Sequence, residues 1–217
     1  MTNWEELYKG KDKHLLDWRM VAPFELPEEH FTSLKKWCTE AKTRGESLTN
    51  RLVGHIKQEY KINNFSEKFE NYILNCSAQP PVFQTWQNLS VNSEDKPIYL
   101  EKLWVNYQKK HEFNPLHDHS GVFSFIIFIN IPYDLKEEDK YFSGLNCEDR
   151  EQQIHTSRLA FVNNRANGGL ESTLINVDKS FEGKMFMFPA RQAHIVYPFY
   201  TSDGYRITVS GNMKLKV

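Results

Sequence analysis

The stretch N-P-L-H-D-H-S-G-V-F-S-F-I-I-F-I-N-I-P, residues 114–132, joins two imidazoles to an apolar run of strand length. Val122 to Ile131 is rich in β-branched and aromatic residues, is closed by Pro132 and is too short for an ordinary helix, so it reads as a buried strand. The same pattern of short apolar runs between polar, Gly or Pro punctuation continues on both sides of it. The expected strands are Ile98 to Gln108, Val122 to Ile131, Ser157 to Val162, Ser172 to Val177, Lys184 to Phe188, Ile195 to Tyr197 and Tyr205 to Asn212. Asn167-Gly168-Gly169 reads as a tight connection, because both glycines accept positive φ. No gap of helical length is evident between these runs, which points to an antiparallel sandwich or barrel and away from a βαβ sheet.

Upstream, the period changes. Pro27 to about Thr43 predicts a helix, with Glu28 and Glu29 near its positive end and Phe31, Leu34, Trp37 and Cys38 at spacings of three and four. Gly45 ends it. A second helix is expected from the N-cap Ser66 through Phe69, Tyr72, Ile73 and Cys76 toward the Pro80-Pro81 break. The chain thus reads as one mostly β domain, with residues 1–97 a mainly helical elaboration packed on a core formed by residues 98–217.

Composition narrows the function classes. Lys and Arg number 27 against 28 Asp and Glu, a formal charge of -1, so no global field favours nucleic acid or an acidic membrane surface. Cys38, Cys76 and Cys147 are widely spaced and form no CxxC pair, which argues against a disulfide framework and against a thiolate zinc site. Met1 to Lys11 is polar where a signal peptide needs an apolar core, and no stretch reaches the length of a membrane span. The expectation is a cytoplasmic protein acting on a small molecule or a protein side chain, with no nucleic-acid or membrane partner. No GxSxG elbow, phosphate-cradling loop or paired catalytic carboxylates support hydrolase, kinase or glycosidase chemistry.

The chemistry-bearing residues lie in the second half. If residues 117–119 are extended, His117 and His119 point to one face and Asp118 to the other, so the two rings can reach one divalent ion. His194 opens a later strand, and a His-x-His pair with a distant third His on a β scaffold can leave one face of an octahedral metal open. Asp118 enters only if the loop twists so that adjacent side chains meet the metal. On the last strand Arg206, Thr208 and Ser210 share a face, and a guanidinium with a hydroxyl two residues on is a good receptor for a carboxylate. His14, His30, His55, His111 and His155 lack such company and are assigned to surface or interface roles.

The Asn-Pro-x-His-x-His-Ser-Gly segment, followed by Phe-Pro-Ala, His194 and Arg206-x-Thr208, resembles the 2-oxoglutarate and Fe(II)-dependent oxygenase superfamily. The likeness spans about Leu103 to Met213 and is strongest to members from marine phages and cyanobacteria. It implies a double-stranded β-helix of jelly-roll, cupin-like form. It also implies iron on His117, position 119 and His194, 2-oxoglutarate on Arg206 and Thr208, and hydroxylation as the default reaction. Tyr107 and Asn114, beside the metal segment, are candidates for contacts to the co-substrate. Position 119 is His where the superfamily has a carboxylate, so the metal site becomes three neutral nitrogens. Two alternatives remain: a cupin-like three-histidine metalloenzyme that uses no 2-oxoglutarate, and a non-catalytic structural or binding protein on the same fold.

Overall fold

The computed structural model describes residues 21–79, 97–142, 155–164 and 167–216. The expectations placed on Met1 to Lys11, Pro80-Pro81 and Cys147 fall outside them. Two antiparallel sheets form the scaffold. The major sheet runs in the order β1 (Ala22–Glu25), β8 (Lys184–Pro189), β5 (Phe123–Asn130), β10 (Arg206–Leu215), β3 (Ile98–Gln108), β2 (Glu59–Ile62). The minor sheet runs β4 (Asn114–His117), β9 (His194–Val196), β6 (Leu159–Asn164), β7 (Leu170–Ile175). This mostly β, two-sheet architecture with flanking helices is the expected double-stranded β-helix.

Alternation along the central strands separates two cores. On the outer face of the major sheet, Leu103, Val105, Tyr107, Phe125, Ile127 and Val209 pack beneath helices α1 (Glu28–Arg44) and α2 (Glu67–Ser77), which contribute Leu34, Cys38, Phe69 and Ile73. Between the sheets, Ile126, Phe128, Phe186 and Phe188 meet Leu159, Phe161, Ile175 and Val196. Each fully buried side chain of this size contributes about 1.5–3 kcal/mol. The helices therefore cover the outside of the barrel and leave its interior to the site. Ser66 caps α2 as expected, its hydroxyl accepting from the Phe69 backbone N–H at 3.2 Å.

Three strands and one α-helix were not anticipated, β4 among them. Strands β1 and β2 have four residues each and extend the major sheet at both edges. A helix, α3 (Leu135–Phe142), occupies part of the interval read as free of helix. Its Glu138 is fully buried and accepts from the Ser157 hydroxyl at 2.8 Å, from the backbone N–H groups of Tyr200 and Thr201 and from the Thr201 hydroxyl. That carboxylate ties the helix to two separate loops, at Ser157 and at Tyr200–Thr201, at the end of the barrel next to Arg206. Among the described residues no helix is long and apolar enough to cross a membrane.

Candidate metal centre and co-substrate pocket

Residues 114–117 form β4, paired antiparallel to β9 so that His117 and His194 sit directly opposite each other. The chain then continues to His119, whose backbone N–H donates to the Ala190 carbonyl at 2.7 Å, clamping it across the same end of the sheet. Gly121, at φ 110°, turns the chain into β5; a Cβ there would lie 2.5 Å from the Met213 carbonyl oxygen. Only glycine fits that approach. The three imidazoles converge, with one nitrogen from each within 4.8 Å of the others. Among the described residues this is the sole cluster of three or more His, Cys, Asp or Glu side chains with that geometry.

The backbone prepares two of the rings for a cation. Nδ1 of His117 lies 2.7 Å from the Pro115 carbonyl oxygen, and Nδ1 of His194 lies 2.9 Å from that of Gln192. A carbonyl can only accept, so both Nδ1 atoms carry the proton and both Nε2 lone pairs are free for a metal. Gln192 is itself held by its side-chain amide, which donates to the carbonyls of Val162 and Ala193 and to Asn163 Oδ1. Burial pushes all three imidazoles below their ordinary value, and His119 and His194 are pushed further by neighbouring histidines; His119 falls to about 4 and His194 well below its usual range. All three are neutral at pH 7, the form a metal needs.

Asp118 does not join them. Its carboxylate is 3.3 Å from the Arg191 guanidinium, in an exposed pair. The alternation argument thus places His119, not Asp118, beside the other two rings. Asp118→Asn should therefore keep the metal content of the wild-type protein, measured after dialysis against chelator; a loss of metal in that variant would mean that the segment rearranges around the ion.

A cavity of about 120 Å³ opens from the histidines toward β3 and β10 and is lined by Trp104, Asn106, Gln108, Thr208 and Ser210 among others. Arg206 and Thr208 stand opposite Gln108 and Asn106, on the interior face of the sheet. The Arg206 side chain is wholly buried; Nη1 donates to the Ser157 carbonyl at 3.3 Å, while Nε and Nη2 have no partner. Thr208 Oγ1 accepts from the Asn106 amide at 3.3 Å. Such unpaired, buried guanidinium donors are costly unless a ligand meets them. They fit the far carboxylate of a dicarboxylic keto acid, and the three neutral histidines fit a divalent metal.

Two expected contacts need correction or refinement. Tyr107 is on the outer face of β3, in the helix-side core, with its ring edge-on to Tyr205 and Tyr60 and beneath Lys42. It has the opposite strand parity from Asn106 and Gln108 and does not reach the cavity, so the candidate contacts from β3 are those two amides. Asn114 does line the cavity, with its Oδ1 buried and unpartnered. The segment 51–56 roofs this end, contributing Arg51, Leu52, Val53 and Ile56, with the His55 backbone N–H donating to Phe113 O at 2.8 Å and its ring stacked on Phe113. Gly54, at φ 150°, lets the roof sit down on Asn114, where a Cβ would lie 2.0 Å from Oδ1.

Glu59, on the four-residue β2, was not singled out by sequence. It is 1 % exposed and lines the same cavity, directly across from Asn106. Burial, reinforced by Glu112, pushes its carboxyl up to about 8 from an ordinary 4.5. Because the folded-state value is raised, the fold binds a proton that the unfolded chain releases as pH climbs through 4.5. Stability is therefore withdrawn between pH 4.5 and 8, by about 4 kcal/mol in all. Glu59→Gln should remove most of that slope, leaving stability near pH 4 unchanged and raising it at pH 8; denaturant midpoints of both proteins at the two pH values check this. Parallel pH profiles would show that Glu59 ionises freely.

The family described as "Putative 2OG-Fe(II) oxygenase" matches residues 102–212, slightly more than half of the chain and the segment that carries all three histidines and Arg206. Among curated proteins no relative matches. Solved structures similar in fold include a Pseudomonas putida prolyl-4-hydroxylase, at 15% identity and TM-score 0.51, covering 91% of this chain and 93% of that one. The viral collagen prolyl hydroxylase of Paramecium Bursaria Chlorella virus-1, solved as a 2OG complex, is similar at 10% identity and TM-score 0.50, covering 91% and 97%. A Trichoplax adhaerens prolyl hydroxylase, solved with a peptide fragment of the hypoxia inducible factor oxygen degradation domain, is similar at 11% identity and TM-score 0.50, covering 91% and 83%. At these identities the likeness concerns the fold; the family rests on the match over 102–212, and by it the chain belongs to the 2OG-Fe(II) oxygenases, oxidoreductases whose cofactor and co-substrate are Fe(II) and 2-oxoglutarate.

Proposed function

We propose that the protein is a 2-oxoglutarate-dependent hydroxylase in which His117, His119 and His194 hold the iron and Arg206, with Thr208, holds the far carboxylate of the co-substrate. The observation that carries this reading is the wholly buried Arg206 guanidinium with two unpartnered N–H groups, two residues along the same strand face from Thr208 in the wall of the histidine cavity. A structural arginine in such a place would have its donors satisfied by the fold. When bound, iron and 2-oxoglutarate supply oxidative decarboxylation to succinate and CO2, coupled to oxidation of a substrate C–H bond by O2.

The chain's own part is positioning. Pro115 and Gln192 carbonyls set the orientation and tautomer of two ligand rings. Arg206 and Thr208 fix the co-substrate end-on, by charge and by geometry. Phe161 and Phe188 pack their rings against His194 and keep water from that side of the metal. Three neutral imidazoles would add no charge to a divalent ion they held, so its charge would be left to the near carboxylate of 2-oxoglutarate while Arg206 answers the far one.

An anaerobic titration with Fe(II) and then 2-oxoglutarate, followed by visible absorption, tests the reading. A charge-transfer band that saturates with the keto acid is expected. Metal binding without any band, and with no 2-oxoglutarate consumption in air, would favour the cupin-like alternative, in which the three histidines work without this co-substrate. Absence of both metal binding and band would favour a non-catalytic protein.

A further inference from the structure

Beside the Thr208 end, the cavity has a further polar wall, in which the Asn106 amide N–H is engaged by Thr208 while its oxygen is free. Glu59, Asn106 and Asn114 all line it. Glu59 is 1 % exposed and has no ion pair among the described residues. Asn106 Oδ1 and Asn114 Oδ1 are both buried without a hydrogen-bond partner. The Asn106 amide is oriented by its Nδ2, which donates to Thr208 Oγ1, so its oxygen is the end left free.

The other charged side chains in the lining are already answered: Arg51 pairs with Glu46 and Asp118 with Arg191. The wall therefore offers two bare carbonyl-type acceptors and a buried carboxyl, held protonated while the cavity is empty, that becomes a third acceptor when a cation displaces its proton. Buried acceptors left bare are costly, which makes them a signature of an absent ligand. On the reading above, iron and Arg206 together would carry three positive charges against the two of 2-oxoglutarate and would answer both of its carboxylates, whereas no cationic side chain among the described residues acts on Glu59. Glu112, close enough to act on Glu59, adds to the negative potential.

We propose that this wall is the specificity site for the substrate, and that it takes an organic cation rich in N–H donors, a protonated primary amine or a guanidinium, with Glu59 as the charge partner and the Asn106 and Asn114 oxygens as its further acceptors. A primary ammonium has three N–H groups, matching the three acceptors in number. Two features of the fold support this assignment. Strand β2 places Glu59 opposite Asn106, one strand beyond the β3–β10 pair that carries the co-substrate residues. The substrate's charged group would thus bind about 10 Å from the Thr208 strand, given two inter-strand steps of about 4.8 Å. Segment 51–56, held down on Asn114, closes the site from above. Burial disfavours the ionised Glu59 in the empty cavity, and a cation beside it restores the carboxylate.

This inference rests on the proposed function for the place of the co-substrate, and its test is separable from it. Binding of n-butylammonium and n-butylguanidinium, and of the neutral isosteres n-pentanol and pentanamide, is measured by calorimetry on anaerobic Fe(II)-loaded protein with 2-oxoglutarate present. The visible band is recorded on the same samples. The wild-type protein should prefer one or both cations over their neutral counterparts by about tenfold or more. Glu59→Gln should reduce that preference to within about twofold while the band and the iron content remain those of wild type. Equal binding of cations and neutral probes by wild type overturns the proposal without reference to any variant, as does an undiminished cation preference in Glu59→Gln. A missing band in wild type counts against the co-substrate reading alone, since the cation preference is read independently of it.

Discussion

His119→Ala and His194→Ala proteins are expected to retain almost no iron after dialysis against a chelator, whereas His111→Ala and His155→Ala should match the wild type. The three rings come from two strands and one turn, and among the described residues no fourth His, Cys, Asp or Glu joins the cluster, so a single truncation leaves two nitrogens. Loss of a partner that merely orients a ligand typically costs about 10–100-fold in metal affinity, and loss of the ligand itself should exceed about 100-fold. The two control histidines have visible occupations elsewhere. His111, at φ 70°, donates its backbone N–H to Phe199 O and sets its ring edge-on to Tyr200, and His155 packs against Tyr197. Metal analysis of the four proteins, with circular dichroism to confirm folding, decides the matter. Equal iron in all four would show that the histidine cluster is a packing feature of the β4–β9 pair.

The route from sequence to this site succeeded where alternation had a fixed direction and failed where it did not. On β10 the residues at positions 206, 208 and 210 are polar and those at 207 and 209 apolar, so one face declares itself, and the register to β3 bears this out. Around the metal, His117 and His119 could be paired because a carboxylate stood between them, and Asp118 does face a different partner, Arg191. On β3 Tyr107 is a candidate only for its nearness to the metal segment, and its parity turns it to the helix side. Both faces of that strand are covered, by helices outside and by the minor sheet inside, so hydropathy does not tell which parity points inward. Trp104, Asn106 and Gln108 could have been noticed as an alternating set opposite Leu103, Val105 and Tyr107, but only the position of α1 and α2 shows which set meets the site. Four-residue strands such as β2 have too few residues to display a period, and so Glu59 was not legible at all. Helix α3 escaped for a related reason: its eight residues are held by two carboxylates, the inward Glu138 and Asp139 paired with Arg158, rather than by a long apolar stripe.

Arg206→Ala should raise the 2-oxoglutarate requirement by roughly one and a half to more than three orders of magnitude with iron content unchanged. Truncating one side of a buried charge pair costs about 2–5 kcal/mol of binding, and each 1.4 kcal/mol is tenfold. Iron should be spared because Arg206 is not among the clustered nitrogen donors. Arg206→Lys should recover only part of the loss, since an ammonium keeps the charge but loses the planar pair of donors that Nε and Nη2 present. A third variant separates ligand binding from stability. In the ligand-free protein the buried guanidinium has a single hydrogen bond, to Ser157 O, so the fold bears the cost of its two bare donors. Arg206→Met, apolar and of similar length, should therefore match or exceed the wild-type melting temperature without ligand, as replacement of poorly compensated buried charges often does. Added 2-oxoglutarate should then raise the wild-type melting temperature in proportion to the logarithm of its concentration, and leave that of Arg206→Met unmoved. A structural role for Arg206 predicts the reverse order: a destabilised Met variant and equal responses to the keto acid in both proteins. The two roles thus differ in the sign of one measurement and in the presence of another, neither of which requires knowledge of the substrate.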